Sequence, residues 1–105
     1  MTRQTLAVLA VFLADPDAEW HGFNLADQTQ LKSGTLYPLL ARLEKAGWLA
    51  SRKEDVDPRV VGRPRRRLYV LTGEGAAAAR RELTSHLEVI SRPFHPAPSN
   101  RARTA

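Results

Sequence analysis

The stretch SGTLYPLLARLEKAGWL, residues 33–49, decides the fold because it predicts one short helix with two different faces. Apolar residues recur at the 3.6-residue period of a helix packed on a core, at Leu36, Leu39, Leu40 and Leu43. Ser33 is a good N-cap, and Gly47 stands where a left-handed residue closes a helix. The residues off the leucine face lie near the end that favours an anion, and they are Thr35, Tyr37, Pro38 and Arg42. We expect this face to meet a phosphate backbone.

Length and composition indicate one small domain. The chain has 105 residues and 43% hydrophobic content, a size that often relies on a partner for stability. It has no cysteine and its histidines are scattered, so neither a disulfide framework, a metal site nor another cofactor is expected. The longest apolar run, LAVLAVFLA at 6–14, is too short to span a bilayer and predicts a buried helix in a cytoplasmic protein.

The charge balance favours a polyanionic partner. The formal net charge is +5 and the isoelectric point is about 10.4. The sequence shows no paired carboxylates, no nucleophile beside a base, no glycine-rich phosphate loop and no metal-ligand cluster. We therefore expect no catalytic residues and no enzyme activity.

The order of predicted elements is that of a winged helix-turn-helix. Periodicity and caps predict helices over 2–14, 22–29, 33–47 and 73–92, and strands over 48–53 and 65–71 that form a hairpin with a long tip. The fold class is therefore mainly α with a small β-hairpin. We expect a winged helix-turn-helix DNA-binding domain over 1–72, followed by a C-terminal dimerisation helix over 73–92. The tail 93–105 is rich in Pro, Ser, Ala and Arg and is expected to be disordered.

The last predicted helix carries an apolar stripe. Its members follow at spacings of three and four, at Ala76, Ala79, Leu83, Leu87 and Ile90. The stripe either packs back on its own domain or pairs two chains, and a small winged domain offers little surface to cover. We expect a homodimer whose contacts are Leu6, Leu9, Leu83, Leu87 and Ile90.

Three motifs together resemble the PadR family of bacterial transcriptional regulators. They are HGF at 21–23, GTLYPLLARLEKAGWL at 34–49 and GRPRRRLYVLTGEG at 62–75, and the resemblance runs from about Leu6 to Leu87. It implies a dimeric winged helix that binds double-stranded DNA, usually as a repressor, with the third helix in the major groove and the wing beside the minor groove. The chain differs from the family at Phe23, where a tyrosine is common.

The expected DNA-binding residues lie at the start of the third helix and in the basic strand. They are Lys32, Ser33, Gly34, Thr35, Tyr37, Pro38, Arg42, Arg63, Arg65, Arg66 and Arg67. Gly34 allows close approach of a phosphate, and Pro38 is expected where a missing N–H donor costs least. Strand alternation points Arg65 and Arg67 one way and Arg66 the other, so at most part of the cluster faces DNA. The acids that precede them, Glu54, Asp55 and Asp57, predict that the first half of the wing loop turns away.

Two function classes follow from this pattern. The leading hypothesis is a sequence-specific DNA-binding transcriptional regulator that acts as a repressor. The alternative is a winged-helix protein-interaction module that docks an acidic partner, and salt-sensitive binding to duplex DNA separates the two. Some relatives are thought to take aromatic effectors, so a small aromatic effector in the dimer cleft is a further expectation. His21 is expected to cap or pack, and Trp20 and Trp48 to lie in the core.

Overall fold

The computed structural model describes the backbone of residues 2–91 and the side chains of residues 2–86. The elements in chain order are α1 (Arg3–Ala14), β1 (Trp20–His21), α2 (Gly22–Thr29), α3 (Ser33–Lys45), β2 (Leu49–Lys53), α4 (Pro58–Val61), β3 (Arg67–Leu71) and α5 (Gly73–Ser91). The four predicted helices correspond to α1, α2, α3 and α5, and the two predicted strands to β2 and β3. The expectations for the tail 93–105 and for a helix end at about Arg92 lie outside the described residues.

The sheet has three antiparallel strands in the order β1-β3-β2, where a two-stranded hairpin was expected. β2 pairs with β3 from Leu49↔Leu71 to Lys53↔Arg67, and β1 adds the pairs Trp20↔Tyr69 and His21↔Leu68. A strand of two residues is too short to show alternation, which is why the sequence did not predict β1.

The wing tip contains a one-turn helix, α4, where the sequence predicted only loop. Asp57 is its N-cap and accepts a hydrogen bond from the Arg59 N–H at 2.9 Å, while Pro58 occupies the first helical position. Gly62 ends the turn with φ +77°. The Asp-Pro pair therefore starts a helix here, although the same pair is also typical of turns.

One core joins α1, the leucine face of α3, the sheet and the start of α5. Its largest fully buried side chains are Val8, Leu9, Phe12, Leu25, Leu36 and Leu40. Leu6 and Leu9, expected at the dimer interface, are 8% and 0% exposed in the single chain. Both side chains therefore contribute to the core of one chain, and Leu9 has no surface left for a partner.

The start of α3 differs from expectation in two ways. The N-cap is Lys32, not Ser33, and no side chain caps the helix. Pro38 is the sixth helical residue, past the first turn, so its missing N–H removes an interior hydrogen bond to the Gly34 carbonyl. The expectation that this proline costs least is therefore wrong. At the other end Gly47 has φ +85°, the left-handed conformation that was predicted.

The first half of α5 packs on its own domain. The Thr72 hydroxyl accepts a hydrogen bond from the Gly75 N–H at 2.9 Å, which confirms the predicted cap. Ala78 and Ala79 are buried and α5 lies against α1, so the beginning of the apolar stripe is covered within the chain. Leu83 is partly exposed, and the side chains of Leu87 and Ile90 lie outside the described residues.

Among the helices described, none is long and apolar enough to cross a membrane.

Candidate nucleic-acid interface

The outward face of α3 carries three small residues and, at its C-terminal end, one lysine. The four leucines are buried as predicted, and at 100° per residue the positions directly opposite them are Gly34, Pro38, Ala41 and Lys45, all exposed. Thr35 and Arg42 are exposed along one side of this face and Tyr37 along the other. The helix therefore presents a surface of low relief with polar groups at its edges, a shape that a groove can approach closely.

Gly34 lies in the middle of this surface, in open space. A Cβ built on Gly34 meets no atom of the described residues within 4 Å, and Gly34 is not among the residues with positive φ. Neither the fold nor the backbone conformation therefore requires a glycine at this position. A requirement for glycine at this position would therefore come from something outside the described residues.

Tyr37 is held in place by the start of α2. Its side chain is 48% exposed, and its ring lies against Gly22, where an added Cβ would be 2.1 Å from the Tyr37 Oη. Gly22 is itself buried, and a larger residue there would require the Tyr37 ring to move. The Gly22 position therefore allows the tyrosine to lie between α2 and the wing.

A basic cleft lies between α2, α3 and the wing. It has a volume of about 230 Å³, and its lining residues are His21, Gly22, Phe23, Tyr37, Arg65, Arg66 and Arg67. All three arginines contribute to the lining, whereas strand alternation predicted that they would divide between two faces. The reason is that β3 begins only at Arg67, so Arg65 and Arg66 precede the regular strand. In the described part of the chain none of the three forms an ion pair with a carboxylate.

Arg63 has a different environment from the other arginines. Its guanidinium forms an ion pair with Glu54, whose carboxylate also accepts a hydrogen bond from the Arg66 backbone N–H at 3.0 Å. The hydrogen bonds from Arg63 and from the Arg66 backbone lower the pKa of Glu54 to about 2. Glu54 therefore turns into the wing and its charge is neutralised there, so this acid does not oppose a polyanion at the cleft.

The remaining wing arginines are positioned by neutral acceptors. Arg65 Nε donates to the Val56 carbonyl at 2.9 Å, and Arg67 Nη1 donates to Ser51 Oγ at 3.0 Å. Ser51 in turn donates to a Glu44 carboxylate oxygen at 2.7 Å, which connects β2 to α3. These contacts fix the direction of each side chain but leave most of its N–H donors for another acceptor.

His21 also borders the cleft and is not a metal ligand candidate. Its side chain caps α2, and its ring stacks on Phe23 with a centroid distance of 6.5 Å. Burial and then the positive charge of Arg66 lower the pKa of His21. Among the described residues no group of three or more His, Cys, Asp or Glu could hold a metal ion.

The structure brings Tyr37 of α3 together with Arg65, Arg66 and Arg67 of the wing at the cleft, and contact of the predicted residues with DNA stays a prediction. Several residues of this surface were not predicted to bind DNA: His21, Gly22 and Phe23 in the cleft, Ala41 and Lys45 on α3, and Glu54 in the wing. Ala41 could have been found from its i+7 spacing to Gly34. Glu54 could not, because its pairing with Arg63 depends on how the wing loop closes.

Comparison with known proteins finds solved structures that share this fold. A PadR-family transcriptional regulator from Eggerthella lenta is 25% identical, with a TM-score of 0.63 over 84% of this chain and 78% of that one. A transcriptional regulator from Clostridium thermocellum is 21% identical, with a TM-score of 0.66 over 89% and 93% of the two chains. Reduced AbfR bound to DNA is 23% identical, with a TM-score of 0.63 over 91% of this chain and 59% of that one.

No curated protein is significantly similar to the chain in sequence. The family model described as the transcriptional regulator PadR-like family matches residues 17–81, which include the cleft, α3 and the whole wing. This match covers more than half of the sequence. The chain therefore belongs to the PadR-like family of transcriptional regulators.

Proposed function

We propose that this chain is a sequence-specific DNA-binding regulator that acts as a repressor, with α3 in the major groove and the wing on the adjacent backbone. The observation that carries the proposal is the cleft in which Arg65, Arg66 and Arg67 lie beside Tyr37, at the edge of the outward face of α3. A low-relief helix flanked by arginines matches a groove bordered by phosphates. The solved complex of AbfR with DNA supports it, because that protein shares the fold.

The residues of the surface divide by the contacts they would make. Arg65 and Arg67 would contact phosphates, which position the protein without reading sequence. Thr35, Tyr37 and Arg42 lie where a helix in the major groove meets base edges, with Lys32, Ser33 and Gly34 at the approach to the backbone. Arg63, already neutralised by Glu54, would contribute through the shape of the wing.

Binding measurements on two sets of variants test this division. An operator is first selected from a random duplex pool, and each variant is titrated with operator and scrambled duplex across a salt series. Arg65→Ala with Arg67→Ala should weaken both complexes similarly and lower the log-log salt slope by about one unit for each phosphate that is no longer bound. Thr35→Ala or Tyr37→Phe should cost about 1–3 kcal/mol mainly on the operator and leave the slope unchanged.

Equal losses of affinity on both duplexes for the α3 variants would contradict the assignment of α3 as the reading helix. Failure of the unaltered chain to bind any duplex at low salt would instead favour the alternative, docking of an acidic protein partner. Arg67 is a suitable probe for both hypotheses because its side chain is exposed and its hydrogen bond to Ser51 involves no charged partner.

The proposed regulator is a homodimer in the cytoplasm. With Leu6 and Leu9 used in the core of one chain, the interface would depend on the part of α5 that extends beyond Ala79, including Leu83, Leu87 and Ile90. Paired reading helices would then meet two half-sites about one helical turn apart, or a multiple of it. The small aromatic effector implied by the resemblance stays a prediction.

A further inference from the structure

The imidazole ring of His21 makes two contacts, one through each nitrogen, and in both of them the ring nitrogen would have to accept a hydrogen bond. Its Nδ1 accepts from the Asn24 backbone N–H at 3.3 Å, while its own backbone N–H donates to Asn24 Oδ1 at 2.9 Å. Its Nε2 lies 3.5 Å from Arg66 Nη1. A neutral imidazole has one N–H and one lone pair, and here the lone pair is already used on Nδ1.

With Nδ1 accepting from Asn24, the ring proton is assigned to Nε2, facing Arg66. The guanidinium of Arg66 has only donors, so among the described residues two N–H groups face each other at this point. Protonating the ring would not change this, because Nε2 would still donate while the Nδ1 cap on α2 would be broken. Burial and the charge of Arg66 both lower the pKa of His21, which keeps the ring neutral and the cap intact.

The two donors open into the basic cleft. Arg65, Arg67 and the Tyr37 ring line the same cleft, and none of its lining residues carries a carboxylate. Glu54 and Arg63, the other charged groups that act on His21, are paired with each other. A phosphate, whose oxygens can accept from several donors at once, would satisfy His21 and Arg66 together.

We propose that His21 and Arg66 together bind one backbone phosphate of the DNA, with the neutral His21 ring donating from Nε2. This inference rests on the proposed function, since the cleft lies between the reading helix and the wing. His21 then has two roles through its two nitrogens. Nδ1 holds the start of α2, and Nε2 contacts the ligand without adding a charge to the protein.

Two substitutions of His21 separate these roles. His21→Asn keeps an N-cap acceptor, because asparagine is among the best N-cap residues, but it is too short to place a donor beside Arg66. His21→Gln reaches the Nε2 position with an amide N–H and lacks the Nδ1 acceptor. We expect the Asn variant to keep its melting temperature and bind duplex about tenfold more weakly, and the Gln variant to melt lower but bind better than the Asn variant.

The salt series distinguishes a neutral donor from a charged one. His21→Asn should weaken binding to operator and scrambled duplex equally and leave the log-log salt slope unchanged, because no charge is removed. Arg66→Ala, the matched charged variant, should lower the slope by about one unit. A ¹⁵N correlation spectrum of the unaltered protein should show the imidazole proton on Nε2, both free and bound to duplex.

Each failure has its own signature. If the unaltered chain binds no duplex at low salt, the proposed function is wrong and this inference fails with it. If the chain binds duplex but His21→Asn binds equally well, only the phosphate site is wrong. A lower salt slope for His21→Asn, or a proton on Nδ1 in the complex, would overturn the neutral donor.

Discussion

Replacing Gly34 by alanine should stabilise the protein and weaken its binding to DNA. Gly34 is the second residue of α3, it is not in a positive-φ conformation, and its added Cβ meets no atom of the described residues within 4 Å. Because alanine here causes neither a clash nor backbone strain, its effect on the free energy of unfolding comes from helix propensity, which favours alanine over glycine by about 0.5–1 kcal/mol. For a domain of this size the melting temperature should rise by about 2–8 °C.

The same methyl group should oppose DNA binding because it lies on the outward face of α3. An extra methyl in a close-packed contact costs about 1–3 kcal/mol, so operator affinity should fall by roughly five- to hundredfold. Thermal unfolding followed by circular dichroism measures the first effect, and fluorescence anisotropy with labelled operator measures the second. The opposite signs of the two effects exclude misfolding as the cause of the weaker binding.

Gly73→Ala provides the matched control. Gly73 is the first residue of α5, it is exposed, and a Cβ there also meets nothing within 4 Å. This variant should be as stable as the parent or more so, with unchanged operator affinity. If Gly34→Ala gains stability and binds operator as tightly as the parent, the outward face of α3 does not meet DNA and the reasoning is refuted.

Two further predictions concern the wing and the assembly. Glu54→Gln should lower the melting temperature at pH 7, because it removes the ion pair to Arg63. The pKa of Glu54 is lowered to about 2 from its usual value of 4.5, so the parent should lose this advantage as the pH falls from about 4.5 towards 2. Thermal unfolding curves of parent and variant that stay separated at pH 2 would contradict this. Leu87→Asp should convert the proposed dimer to monomers in sedimentation experiments. Ser85→Asp, at an exposed position of the same helix, should leave the dimer intact. A parent protein that is monomeric at micromolar concentration would refute the dimer.

Periodicity predicted the parts of the fold that have a long repeated signal. The leucine face of α3, the Thr72 cap and the left-handed Gly47 follow from local spacing and backbone chemistry, and the structure confirms each. β1 has only two residues and is stabilised by pairing with a distant strand, so no local pattern marks it. Local sequence therefore specified the helices better than the sheet.

The candidate site was predicted by residue type more accurately than by arrangement. The arginines of the wing were identified from their charge, but their directions depend on where β3 begins and on which acceptor each side chain finds. Arg63 pairs with Glu54, nine positions earlier in the chain, and this pairing requires the closed wing. His21 has a signal in hindsight, because Asn24 three residues later completes a capping box, but its Nε2 meets Arg66 only through the tertiary fold.

The position of β1 has a consequence for how the chain folds during synthesis. Trp20 and His21 immediately precede α2, yet their only strand partner in the described part of the chain is β3, which follows after the whole of α3 and the wing tip. Closing so long a loop is slow, and it requires Leu68 and Tyr69 to have left the ribosome. The helices can form earlier, but the cleft is completed only when β3 docks between its two neighbours. A chain interrupted before Leu71 would contain α3 without the sheet that completes the cleft beside it.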